Sequence, residues 1–514
     1  MQPHSIRKIV VVGGGTAGWM CAASLSKFLG TVNQSITLVE SDEIGTVGVG
    51  EATIPMLSVF NKALGIDEDE FMRETQATFK LGIEFVDWAR PGASYFHPFG
   101  LYGTDMDGIG FTQYWMRLWR EGGHVSGGLA DYGRFNLETL AYREGLFARS
   151  PANDPSGLPK LNYAFHFDAG LFARYLRRFA ERRGAVRQEG RIVRVEQHPE
   201  TGFVTAVETD DGRVIQGDLF IDCSGFRGLL IEQTLKAGYD DWSPWLPCDR
   251  AAAVPSDSPG DGKLPPFTRA TAREAGWQWR IPLQHRVGNG YVFCSEFISE
   301  DEACAKLLSR LEGPALKDPK VLRFTTGHRR RMWNKNVVAL GLASGFLEPL
   351  ESTSIHLVQV GIARLITYFP RGGFSQAMID QYNAEMLYDY TDVKDFLIAH
   401  YKLTQREDTP FWKRNREMAI PDSLQARLER FAVAGHVGTQ LADLFKETNW
   451  FSVLMGQGLA PRAWHPVADA ISDDELKLRL SRMRTGLQDR LKQMVPHEAY
   501  IARHCQAVLP RYVN

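Results

Sequence analysis

Much that would fix the class of this chain at once is missing from it. Its 514 residues hold six cysteines, at 21, 223, 248, 294, 304 and 505, with no close pair and no C-x-x-C. That argues against a disulfide framework and a thiolate zinc site, and it fits a reducing compartment. No apolar run approaches the ~18 residues of a membrane span, so no membrane partner is expected. The sequence has no basic block or arginine-rich run, and its formal net charge is −2 with both signs spread along it. Nucleic acid is therefore not an expected partner either. There is no internal repeat and no low-complexity tract. The first strand-like run begins almost at once, which leaves no room for a signal peptide and points to the cytoplasm. What remains is a globular α/β protein of two or three structural units, because one core does not serve so long a chain.

What is present starts with Ile9–Leu25, IVVVGGGTAGWMCAASL. A β-branched apolar run, Ile9–Val12, has the length of a buried parallel strand. Gly13-Gly14-Gly15-Thr16-Ala17-Gly18 then reads G-x-G-x-x-G, and a helix continues through Trp19–Leu25. Strand, glycine turn and helix in that order form a dinucleotide-binding opening. Gly13 permits the tight turn, Gly15 lets the backbone approach a pyrophosphate, and Gly18 lets helix and strand pack closely, with Thr16 and Ala17 at the helix N-terminus. A second strand, Ser35–Val39, ends in Glu40, about 22 residues past Gly18. An acid there accepts hydrogen bonds from ribose hydroxyls, which favours FAD or NAD over NADP; the alternative is a solvated strand end.

Further segments carry chemistry-bearing residues. Val47-Gly48-Val49-Gly50-Glu51-Ala52-Thr53-Ile54-Pro55 suits a loop lying against a planar ring or a phosphate, through Val49 and Ala52, or an ordinary loop before a helix. Phe71, Thr75 and Phe79 recur at helical spacing before a strand start at Gly82–Val86, and Lys80 lies at that boundary. On composition Lys80 is a solvated surface lysine; the alternative is a catalytic ammonium within a pocket. His97 and Phe99 project from one side of an extended segment. Trp277 and Trp279, two apart on an expected strand, share one face as core packing or as a wall that keeps a site dry. Asp218–Asp222 is an apolar strand ending in an acid and a glycine turn. Asn336–Leu340 is another, followed by the small-residue turn at Gly341-Leu342-Ala343. Pro349-Leu350-Glu351-Ser352-Thr353-Ser354 opens a helix over Ile355–Tyr368, whose start presents free N–H groups to an anion. Beyond Ala363 long amphipathic segments dominate, at Met378–His400, Pro421–Ala434, Val437–Phe451, Asp473–Met494 and Ala499–Leu509. The expected domains are therefore 1–362, with the dinucleotide fold and a β-sheet region, and 363–514, mainly helical and covering one side.

The chain resembles the flavin-dependent halogenases of the tryptophan-halogenase family. The resemblance is carried by Gly13–Gly18, by W-x-W-x-I-P at Trp277–Pro282, by the lysine in Phe79-Lys80-Leu81-Gly82 and by P-L-E-S-T at Pro349–Thr353. It runs across most of the sequence. It implies a fold of the flavin monooxygenase type, use of FAD as FADH2 from a separate flavin reductase, and consumption of O2 and chloride or bromide to make hypohalous acid. By the same resemblance, halide is held at Thr353 and Ser354, where the family usually has Gly at the second position. The oxidant passes through a tunnel to the substrate, Lys80 holds or polarises it, and Glu351 orients it and takes the ring proton. Ser352 stands beside Glu351, and Trp277 and Trp279 keep substrate from the flavin.

His97-Pro98-Phe99-Gly100 resembles the family segment whose His and Phe sandwich an indole. Leu444–Phe451 does not match the clamp that the free-tryptophan enzymes place on the amino-acid moiety. The expected substrate is therefore an electron-rich aromatic of indole type without a strict need for that moiety. A flavin-dependent aromatic hydroxylase is the alternative, disfavoured by W-x-W-x-I-P, and a non-catalytic flavin-binding protein is the third reading. A homodimer is left open.

Overall fold

The β-branched run at the start forms the strand Lys8–Val12, buried at every position but the first. Apolar residues without alternation signal a strand covered on both faces, and this one lies in the middle of a parallel sheet. Leu219–Asp222 pairs on one side and Ser35–Glu40 on the other. Val337–Ala339 and Val186–Glu189 extend the sheet in parallel outward on the two sides, and Trp333–Asn334 closes one edge antiparallel. The glycine turn leads into the helix Thr16–Phe28, against which the helices Ala169–Glu181 and Ser354–Thr367 pack. Val10, Val12, Val39, Phe220, Val337 and Ala339 build the core beneath the crevice described below.

The computed structural model describes residues 6–43, 50–120, 131–151, 153 and 158–508. It divides into two compact units, each gathered from three stretches of chain. The first comprises Met1–Ala77, Phe167–Arg250 and Leu322–Thr391, and the second Thr78–His166, Ala251–Val321 and Asp392–Asn514.

The second unit is built on a seven-stranded sheet. Its centre is the meander Thr268–Arg273, Gly276–Pro282 and Val287–Phe293, which is antiparallel throughout. Gly82–Val86 adds in parallel to Thr268–Arg273, and Ser94–Pro98 pairs antiparallel beyond it. The helices Pro410–Glu417, Asp422–Ala434, Glu447–Gly456, Asp473–Leu491 and His497–His504 complete the unit.

Local details differ from the sequence expectation at three places. The helical spacing of Phe71, Thr75 and Phe79 does not describe one helix. The helix Glu68–Glu74 stops, Gln76 takes φ +53°, and Thr78–Lys80 is a strand. The helix expected over Val437–Phe451 begins only at Glu447, because the preceding helix ends on Gly435 at φ +74° and Gly438 at φ +69° turns the chain again. Pro410–Glu417 is an additional helix, started by Pro410 behind the Thr409 cap.

Candidate functional site

In the first unit three turns meet at the carboxyl ends of adjacent parallel strands, where open α/β sheets bind ligands. They follow Val12, Asp222 and Ala339. Gly13 has φ +107°, and a Cβ there would stand 2.3 Å from the Cys223 carbonyl oxygen. A Cβ on Gly18 would stand 1.9 Å from the Gly13 carbonyl oxygen, so helix and strand approach as closely as the motif demands. Among the described residues, chain neighbours apart, nothing lies within 4 Å of where a Cβ on Gly15 would stand. Gly341, at φ +64°, would carry a Cβ 2.8 Å from that of Ala17, so the Gly341–Ala343 turn rests on the start of the helix, with Leu342 half-buried beside it. Glu40 ends its strand against Gly14, and its Oε1 accepts from Arg187 Nε at 2.6 Å. Asp222 is wholly buried and accepts from the backbone N–H of Ser224, Leu230 and Ile231, which fixes the second turn. Ala52 is buried on the short strand Gly50–Ala52, and burial pushes the carboxyl of Glu51 up to about 7. Val49 lies outside the described residues.

The same unit holds Glu351, on the single turn Pro349–Glu351 and 2% exposed. Ser352 follows at φ +59°, a conformation a non-glycine residue adopts only under constraint from its surroundings. The helix then starts at Ser354, one residue later than Thr353 and one earlier than the sequence expectation. No side chain caps it, and the Thr353 hydroxyl is buried without a hydrogen-bond partner. Free N–H groups and an unused hydroxyl at a helix start suit an anion. Further along the helix, His356 Nδ1 and Gln359 Nε2 are buried without partners as well, and burial lowers the His356 pKa to about 4, so its ring is neutral.

Lys80 belongs to the second unit. It is fully buried on the strand Thr78–Lys80, and its Nζ lies 5.1 Å from the centroid of the Phe99 ring. The surface reading of this lysine is thereby excluded. A buried ammonium over a π-face gains on the order of 2 kcal/mol from the ring quadrupole when desolvated. The strand is fixed on both sides. Thr78 Oγ1 donates to the Pro282 carbonyl at 2.7 Å and lies 2.9 Å from His166 Nδ1. Its one hydrogen is committed to Pro282, so His166 donates from Nδ1 and accepts at Nε2 from the Thr268 hydroxyl, 2.9 Å away. Burial first, and then the Lys80 ammonium, push the His166 pKa well below its ordinary value. Next to the lysine, the Phe79 N–H donates to His497 Nε2 at 3.1 Å, while His497 Nδ1 donates to the Leu264 carbonyl at 2.6 Å.

Pro282 ends the W-x-W-x-I-P strand, so this chain of hydrogen bonds joins that motif to the lysine strand. Trp277 and Trp279 share one face, with ring centroids 6.1 Å apart. Trp277 belongs to an aromatic core with Trp88, Trp412 and Tyr401. Trp279 lies over Gly290 on the neighbouring strand, where a Cβ would come within 2.0 Å of its ring, and its indole N–H is buried without a partner.

His97 is buried at the end of Ser94–Pro98, with Phe99 following it. Asn449 Oδ1 accepts from the Lys446 N–H, so the amide nitrogen faces His97 Nε2 at 3.1 Å and donates to it. Phe396 and Phe445 stack at 3.9 Å and lie 5.6 and 6.4 Å from the His97 ring. The Leu444–Phe451 segment thus meets His97 with one ring, Phe445, and one amide, Asn449.

A model of the tryptophan halogenase family matches residues 8–473. The chain belongs to that family. It is 39% identical, over 84% of its own length and 85% of the other, to the tryptophan 6-halogenase SttH of Streptomyces toxytricini. Its fold superposes on Xcc4156, a flavin-dependent halogenase from Xanthomonas campestris, with a TM-score of 0.94 and 49% identity, covering 99% of this chain and 100% of that one. For BrvH, a flavin-dependent halogenase from Brevundimonas sp. BAL3, the values are 0.91, 45%, 97% and 99%. The protein is thus an oxidoreductase, a flavin-dependent halogenase, with the mixed α/β architecture its sequence implied. Among the described residues no helix is long and apolar enough to cross a membrane.

Several residues beside these positions, in each unit taken by itself, escaped sequence reasoning. His166, Thr78 and His497 matter because they converge on one three-residue strand from positions far apart in the chain. His356 and Gln359 share a helix whose other residues are largely apolar, and nothing local distinguishes them from core polar residues. Arg329, whose Nε donates to the Ala343 carbonyl at 3.2 Å, steadies the Gly341–Ala343 turn from a separate strand.

Proposed function

We propose that this halogenase acts on an electron-rich aromatic of indole type, with Lys80 and Glu351 as its catalytic residues. The observation that carries this reading is the burial of Lys80 over Phe99, because a charged amine is kept out of water only where its charge has work. The described residues of the first unit fit FAD: the N–H groups of Thr16, Ala17 and Gly18 for the diphosphate, with the Cβ position of Gly15 uncrowded, Glu40 for a ribose, and Ala52 and Leu342 for the ring system; the family resemblance adds Val49. When bound and reduced, the flavin supplies with O2 the two-electron oxidation of halide to hypohalous acid. A separate reductase provides FADH2, and six free cysteines support a reducing, cytoplasmic setting. The backbone N–H groups and hydroxyl of Thr353 and Ser354 hold chloride or bromide.

The Lys80 ammonium hydrogen-bonds the oxygen of HOX and polarises the O–X bond. The ring carbon attacks the halogen, the O–X electron pair stays on oxygen, and oxygen leaves as water with the Lys80 proton. Glu351 then takes the ring proton from the arenium cation, and one proton has been given and one recovered. Ser352 holds the Glu351 turn. Trp277 and Trp279 exclude substrate from the flavin. Phe396, Phe445 and Asn449 around His97 favour a flat apolar ring with one acceptor or donor, which supports indole over an amino acid needing charged partners.

The test is mass spectrometry of reactions with indole and with tryptophan, supplied with reductase, FAD, NADH, air and chloride or bromide. A halogen isotope pattern on indole that disappears in Lys80→Met and Glu351→Gln is expected. Oxygen insertion without halogen, or strict selection of free tryptophan, would overturn the reading.

A further inference from the structure

The strands that carry Trp277 and Trp279 on one face carry a different set on the other. Successive strand residues alternate faces, so Ala270 and Ala272 accompany the indoles, while Arg269, Thr271, Arg273, Gln278 and Arg280 point the opposite way. The register puts Arg269 directly across from Arg280 and Thr271 across from Gln278. Like charges directly opposite are destabilising, so a pair of guanidinium groups there requires a compensating partner. Glu312 supplies it, reaching Arg280 at 2.7 Å and Arg269 at 3.4 Å, and Glu84 holds Arg269 from the other side at 2.6 Å.

These residues wall a cavity of about 470 Å³, within the range of small-molecule sites. Two further arginines line it, and their charges are less well met. Arg310 bonds Glu274 through Nη2 at 3.2 Å, but its Nη1 is buried with no hydrogen-bond partner. Arg273 makes one side-chain bond, from Nε to the neutral Gln278 at 3.2 Å, and among the described residues no carboxylate lies within ion-pair distance of it. Burial, and then the Arg310 guanidinium, act against its charge. Lining arginines outnumber lining carboxylates by four to three. With Glu274 behind Arg310 the four arginines face four carboxylates, so what the cavity offers is two forked donors short of acceptors, with amide and hydroxyl walls from Thr271, Gln278 and Asn289.

We propose that this cavity is a binding site for a small polar molecule bearing an oxyanion, a carboxylate or a phosphate, whose oxygens bridge Arg273 and Arg310. A planar guanidinium presents paired N–H donors that match two oxygens of such a group. The site belongs entirely to the second unit and faces away from Trp277 and Trp279. It uses none of the residues assigned above to halogenation, so it stands or falls separately from that assignment.

The test is titration calorimetry on the full chain loaded with FAD, so that the glycine turn is occupied. Inorganic phosphate and citrate are titrated separately at constant ionic strength against a chloride-matched control. Saturable one-to-one binding of at least one is expected, weakened about tenfold or more in Arg273→Met and in Arg310→Met. Arg273→Lys keeps the charge but not the fork and should retain an intermediate affinity. Saturation by phosphate alone names a phosphorylated ligand, and saturation by citrate alone names a carboxylate. If neither ion saturates above the control, or if the variants that melt at the wild-type temperature bind as wild type does, the proposal is wrong.

Discussion

Lys80 illustrates what one residue contributes here. Its stem is enclosed and its charge faces the Phe99 ring, so replacing it by methionine preserves most of the volume and removes the ammonium. Lys80→Met should reduce halogenation by ~10²–10⁴-fold while FAD binding, followed by flavin fluorescence, stays unchanged. Loss of both together would mean that the lysine is structural. Gly290 is the complementary case. A methyl group there meets the Trp279 ring at 2.0 Å, and Gly290→Ala should cost about 1–3 kcal/mol by forcing the indole from its place. Urea melts followed by tryptophan emission report both the lost stability and the displaced ring. Composition left Lys80 a choice between surface and site, and only the family resemblance gave it a catalytic role, because burial of a charge depends on neighbours that its own segment does not contain. Gly290 was not visible as a requirement at all, since the ring above it comes from the next strand.

At the scale of elements, three residues of strand, Thr78–Lys80, are held by His166, Pro282 and His497. Thr78→Val removes the donor to Pro282 and the acceptor of His166 Nδ1 while keeping the shape. An unsatisfied buried group costs about 1–3 kcal/mol, and the strand that orients Lys80 loses its anchor to the W-x-W-x-I-P motif. The expected outcome is a lower midpoint in urea together with a fall in kcat and little change in FAD affinity; Thr78→Ser, which restores the hydroxyl, should recover both. Elements with a strong local signal were legible. The β-branched run and the glycine turn both fold as their sequences require. The segment around Phe79 was misread because spacing of apolar residues by four continues past the end of a helix when a buried strand follows it, and periodicity alone does not separate the two.

Over the whole molecule the buried titratable groups set a pH dependence of stability with two opposing parts. Burial holds His356 and His497 near pKa 4, against an ordinary value of 6.5. The unfolded chain binds their protons first as pH falls, so their contribution is complete above about pH 6.5 and is lost on the way down to about 4, at most about 3 kcal/mol each. Glu138 works the other way. Burial raises it to about 7 from 4.5, despite the N–H groups it accepts from Asn162 and Asn136. It favours the folded state below pH 4.5 and loses that advantage as pH rises through 7. Glu138→Gln should therefore gain stability relative to wild type between pH 6 and 8, and His497→Asn should flatten the loss between pH 6.5 and 4. Denaturant midpoints across that range check both, and slopes of the opposite sign would refute the assignments.

By itself the sequence determined the dinucleotide opening, the strand faces of Trp277 and Trp279, and the small-residue turns at Gly341–Ala343 and Pro349–Ser354. Those depend on backbone conformations and side-chain periods that a few adjacent residues impose. Only the tertiary structure decided that the chain crosses between its two units several times, that Lys80 is buried, that Leu444–Phe451 closes on His97, and that four arginines scattered from 269 to 310 face one cavity. Each of these rests on contacts between segments far apart in the chain, where burial and charge compensation are settled by what packs together and leave no local pattern to read.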